Sequence, residues 1–151
     1  MFIAITLHLL AAIIWVGGMF FAYMVLRPSA AKLLEPPQRL TLWHDCFERF
    51  FAWVWACVIL LPATGYWMVF DLYGGFSHSG WHIEIMQITG LIMIGLYVYL
   101  YASPYRALKK RLSNADYLAA GQSLAAIRTI VGANLIIGMT TAMVAVAGRF
   151  I

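Results

Sequence analysis

The chain has 151 residues, of which 64% are hydrophobic and 11% charged, with a formal net charge of +4. Soluble domains carry about a quarter of their residues as charges, so this balance excludes an ordinary water-soluble globular protein. The positive charge sits mostly in short segments between apolar stretches, which gives no support to nucleic acid as a partner.

A helix needs about 20 mostly apolar residues to cross the hydrocarbon core, because lipid offers no partner for backbone polar groups. Four stretches qualify. The first runs from Phe2 to Leu26. It begins Met1-Phe2-Ile3-Ala4, without the basic start or small-residue cleavage site of a signal peptide, and is expected to stay in the protein. Its small residues Ala11, Ala12, Gly18 and Ala22 suit close helix contact. His8 lies about six residues inside it, roughly 10 Å below the surface, where an ionisable group is costly and should face the bundle interior. The plainer role for His8 is a neutral imidazole hydrogen-bonded to Asn134 or to a backbone carbonyl.

Pro36-Pro37, followed by Leu40, Trp43, His44, Phe47, Phe50 and Phe51, reads as a helix start whose apolar stripe runs into the second span, Phe50 to Phe70. Pro62 is expected to kink or loosen that helix. Cys46 and Cys57 stand about 16 Å apart along it, too far for a disulfide, and their spacing matches no CxxC motif. Gly74 to Gly80, with His78, is the one turn-rich loop.

The third helix, with its span from Ile83 to Tyr101 and His82 at its mouth, carries His82, Met86, Thr89, Met93 and Tyr97 along one face. Ser113-Asn114-Ala115-Asp116 resembles a capping box that opens a helix leading into the fourth span, Thr129 to Gly148. In that span Asn134, Gly138, Thr141, Ala145 and Gly148 form a stripe of small and polar residues. Met143, about 8 Å from the end of the helix, approaches the depth of His8.

Basic residues orient the chain. Arg27, Lys32 and Arg39 lie in the first loop and Arg106, Lys109, Lys110 and Arg111 in the third, with none in the second; Arg149 is a lone exception at the chain's end. The first and third loops are therefore expected in the cytoplasm, and both termini outside. The expected fold is all-α: one four-span transmembrane domain over 1–151, an integral membrane four-helix bundle in the bacterial inner membrane.

Three histidines then share the outer side: His8, His78 and His82. Imidazole combined with soft thioether suits cuprous copper, which points to a metal site at His8, His82, Met86 and Met143. Methionine also fills apolar cores, so each one taken alone is as well explained by packing. The same pair, His8 and His82, could ligate a haem b iron axially, with Ala11, Ala12, Gly90 and Gly138 leaving room for the macrocycle and Arg149 pairing with the propionates. Any enzyme activity would then be that of a haem-dependent oxidoreductase. Asp71 and Glu84, the outer acids, are by default solvated. Nothing in the spans resembles a Ser/His/Asp or Cys/His arrangement, a phosphate loop or a carboxylate pair, and no internal repeat suggests a transporter built from inverted halves.

The first-span run His8-Leu9-Leu10-Ala11-Ala12-Ile13-Ile14-Trp15-Val16-Gly17-Gly18-Met19-Phe20-Phe21, closing in Leu26-Arg27-Pro28, resembles the opening helix of the CopD family of bacterial copper-resistance membrane proteins, in a short four-helix form. Pro104-Tyr105-Arg106, Asn134-Leu135 and Gly148-Arg149 fit the same likeness. The resemblance implies an inner-membrane protein concerned with copper, and it carries over to His8. The pattern is also similar to HemJ-type protoporphyrinogen oxidases, whose first-helix histidine is a haem ligand and whose third helix bears an essential lysine. The third span here has no lysine, which sets the chain apart from that oxidase activity and leaves haem binding open. Three functions follow: copper handling at an outward-facing His/Met site, as a homo-oligomer or with a periplasmic copper-binding partner; a haem b redox protein; or an accessory subunit of a larger membrane complex.

Overall fold

The computed structural model describes residues 1–148; Arg149 lies outside them, and of His78 only the backbone is described. Four helices follow one another: α1 (Phe2–Leu33), α2 (Pro36–Tyr73), α3 (Trp81–Ser113) and α4 (Tyr117–Ala147), each long and apolar enough to cross a membrane. No strand occurs among the described residues. The fold is the expected all-α bundle of four spans. At about 1.5 Å per residue, even the shortest helix exceeds a hydrocarbon core of roughly 30 Å. The spans therefore continue as helix well beyond the bilayer, as expected for the long connections from the helix starts at Pro36 and after Ser113.

Each reversal has a local cause. Gly74, at φ +66°, caps α2 in the left-handed conformation that glycine adopts without penalty, and its N–H reaches the Val69 carbonyl. The Asp116 side chain caps α4 by accepting the Ala119 N–H at 3.1 Å. This corrects the capping box expected from Ser113. That hydroxyl instead donates to the Lys110 carbonyl of its own helix, at 2.8 Å. Widened π-helical turns interrupt α1 at Phe21–Leu26 and α3 at Tyr101–Tyr105, whereas α2 runs through Pro62 unbroken. Cys46 and Cys57 are both free, as their separation required.

Three reversals place the start of α1 and the end of α4 beside the 74–80 loop. Helix α1 packs on α2 and α3 on α4, while α4 also touches α1 and α2. At the end away from the 74–80 loop, the core is aromatic: Trp43, Phe47, Phe51, Tyr97 and Tyr105 are all buried, with Phe51 edge-on to Tyr97 and Tyr105. The Tyr97 hydroxyl donates to the Phe51 carbonyl at 3.2 Å, tying α3 to α2.

Burial is uneven along the bundle. In α3 the buried residues begin only at Met93, and in α4 they stop at Gly138. The parts of α3 and α4 nearest the 74–80 loop, about 18 Å of α3, are thus half-open. Both His82 and Met86 belong to that stretch.

Candidate functional site

Over Phe2–Phe20 of α1 the buried residues are Ala4, Ala11, Trp15 and Met19. His8 falls on the same stripe, one turn from Ala4 and from Ala11, so its ring points into the bundle against α2. Gly65 makes room there: a Cβ at that position would stand 3.4 Å from the His8 Cε1. The His8 Nδ1 lies 2.9 Å from the Thr64 hydroxyl oxygen, and that hydroxyl lies 2.5 Å from the Leu60 carbonyl.

Proton counting assigns the tautomer. Thr64 has one hydroxyl proton, and the Leu60 carbonyl, which can only accept, takes it. The Thr64 oxygen therefore accepts from an Nδ1–H on His8. The Nε2 lone pair is left free, the state in which a histidine binds a metal while its other nitrogen is held by a neighbour. Sequence reasoning offered Asn134 or a backbone carbonyl as the partner; Thr64 replaces Asn134, and the Leu61 carbonyl also lies beside the ring. Asn134 is 2% exposed and engaged elsewhere, its amide donating to the Met93 carbonyl at 3.2 Å.

The face of α3 read from the sequence is its inward face. Met93 and Tyr97 are buried, and His82, Met86 and Thr89 are half-buried. The Thr141 hydroxyl of α4 meets that of Thr89 at 2.8 Å. His82 sits where α3 begins, in a gap made by two glycines. A Cβ at Gly80 would lie 2.9 Å from its Nδ1, and one at Gly148 would collide with the His82 Cβ and ring. The His82 Nδ1 is buried and has no hydrogen-bond partner among the described residues. A buried polar atom left unpaired costs free energy, so such an atom marks a place where a ligand would be stabilising.

His8 and His82 face the same end of the bundle at different depths. Counting along α1 to Trp15, along α3 to Tyr97, and across the edge-on Trp15–Tyr97 contact sets His82 about 12 Å nearer the loop end than His8. His8 rests on α2, and His82 lies beside the end of α4. Met86 stands one turn below His82 on the same face, between the two levels. Met143 is not gathered with them: it is 64% exposed on the outer side of α4. Asp71 and Glu84 are exposed, consistent with solvation. His44 lies at the opposite end, its ring stacked on Tyr105 with centroids 6.2 Å apart.

Of the glycines expected to leave room for a macrocycle, Gly90 opens onto free space and Gly138 is closely packed. A Cβ there would meet Val16 Cγ2 at 2.9 Å and Met93 Cε at 3.0 Å. The donor set nearest the half-open end is thus imidazole and thioether. No group of three or more His, Cys, Asp or Glu side chains with metal-binding geometry occurs among the described residues.

A family model described as copper resistance protein D matches residues 44–148, more than two thirds of the chain. The comparisons with curated proteins and with solved structures return no match. His82 and Met86 lie within the matched segment, while the first-helix motif with His8 precedes it.

Proposed function

The chain belongs to the copper resistance protein D family, and from that premise we propose that this multi-pass membrane protein takes up a cuprous ion at the half-open end of its bundle. His82 and Met86 receive the ion, and His8 holds it deeper between α1 and α2. The observation that carries this reading is the buried Nδ1 of His82, without a partner among the described residues, one turn above an inward thioether, with His8 held at its Nδ1 by Thr64 below. Neutral imidazole and thioether are soft, uncharged donors, which suit a monovalent soft ion better than zinc or a hard cation. Copper is the cargo in this reading.

The test is titration of the purified protein with cuprous ion under reducing conditions, against a competing chelator. Binding of about one ion per chain is expected, since a single set of His and Met donors is present. A preparation whose Soret band shifts on reduction would replace copper by haem. One that binds neither would leave the accessory-subunit reading.

The half-open end faces the periplasm in this proposal. Nine Lys and Arg residues, Arg49 and Arg128 among them, lie in the first and third loops against none in the second. A cysteine introduced at Gly75 should react with an impermeant reagent in intact spheroplasts. Labelling only after the inner face is opened would reverse the orientation and put the copper site in the cytoplasm.

A further inference from the structure

We propose that Arg27, Arg39 and Arg128 form a binding site for a phosphate oxyanion at the end of the bundle opposite His8 and His82, independent of the copper reading. The three come from α1, α2 and α4, and each is half-buried. Arg27 and Arg128 border one small apolar cavity of about 30 Å³ that Trp43 and Phe47 also line, so their side chains meet at its rim. Arg39 stands one turn before Trp43 on the same face of α2, beside that cavity. Arg27 is fixed over the Tyr23 ring, 4.9 Å from its centroid, so its fork is partly pre-organised.

No acid balances them. Among the described residues the ion pairs are Arg49 with Asp45 and Lys109 with Glu48, both elsewhere. None of the three arginines makes a side-chain hydrogen bond to protein among those residues. Glu35, one turn before Arg39, is exposed and forms no ion pair with it. Like charges gathered where water is partly excluded repel one another, and an anion between them removes that cost. Guanidinium groups match phosphate oxygens in bidentate geometry, and basic pockets between transmembrane helices are suited to lipid headgroups. Arg128 borders the apolar run of the fourth span, at the depth of a headgroup. A phospholipid phosphate is therefore the favoured source over a soluble phosphate.

Native mass spectrometry of the detergent-purified full chain tests this, with phosphatidylglycerol, phosphatidylcholine or inorganic phosphate added at equal concentration. Phosphatidylglycerol should be retained preferentially, and Arg128→Gln or Arg39→Gln should weaken its retention about tenfold, the effect of losing one charge-assisted contact. Lys109→Gln, at the same end but outside the cluster, should change nothing. Arg128→Lys should fall between wild type and Arg128→Gln, because it keeps the charge and loses the fork. Melting without lipid gives a second measure: Arg128→Gln should melt no lower than wild type, since it relieves repulsion. Displacement of the lipid by inorganic phosphate would support the site and assign it to a soluble anion. Equal retention of both lipids, unchanged in the arginine variants, would overturn the proposal.

Discussion

Replacing His8 by alanine is expected to abolish binding of cuprous ion, and replacing His82 to weaken it at least about tenfold, the loss of one ligand from a small donor set. The asymmetry follows from their surroundings. His8 is the deeper ligand, held by Thr64 with its Nε2 free, whereas His82 stands at the open end where Met86 is still within a turn. Thr64→Val should then act on copper without touching it. Removing the acceptor frees the His8 ring and its tautomer, and the loss of such a partner costs about 10–100-fold in metal affinity. His44→Ala, stacked on Tyr105 at the far end, should leave copper binding unchanged. Competition titration of the four variants in detergent, with circular dichroism to show that each folds, decides the matter. A folded His8 variant that keeps its copper, beside a His44 variant that loses it, would move the site to the other end of the bundle.

The fold was legible because lipid imposes a coarse rule: four apolar stretches of sufficient length have almost no alternative to four helices. Periodicity was equally informative within a helix. The inward face of α3 could be listed from His82, Met86, Thr89, Met93 and Tyr97 alone, and the structure turns that face to the core. Met143 shows what happens when depth is used without angle. It stands two positions from the inward Thr141, about 200° around the helix, so its spacing already pointed outward.

Relations between helices were less accessible. Which helix lies against His8 depends on the pairing of α1 with α2 and on their rotation, and neither is written in any local pattern. Thr64 and Gly65 read in sequence only as residues following Pro62; beside His8 they are a hydrogen-bond acceptor and the space for a ring. The arginine cluster was hidden for the same reason. Arg27 and Arg39 counted only as loop charges, and Arg128 joins them only because α4 packs against α1 and α2.

Gly138→Leu is expected to destabilise the bundle by about 1–3 kcal/mol or more, the cost of overpacking a tight contact. Helices in lipid gain little from hydrophobic burial and depend on close approach at small residues. At Gly138 three helices meet, since Val16 of α1 and Met93 of α3 both reach within about 3 Å of where a Cβ would stand. A leucine there pushes α4 away from both neighbours at once. The displacement also strains the bond from Asn134, one turn earlier on α4, to the Met93 carbonyl, leaving further buried polar atoms unpaired. Gly95→Leu is the matched control, because Gly95 is exposed and a Cβ would find nothing within 4 Å. Thermal unfolding in mild detergent should show Gly138→Leu well below wild type and Gly95→Leu level with it. Equal melting of the two variants would mean that α1, α3 and α4 do not close on one another at this level. His8, two turns from Val16 on the same helix, would then lose the packing that aims its ring into the bundle.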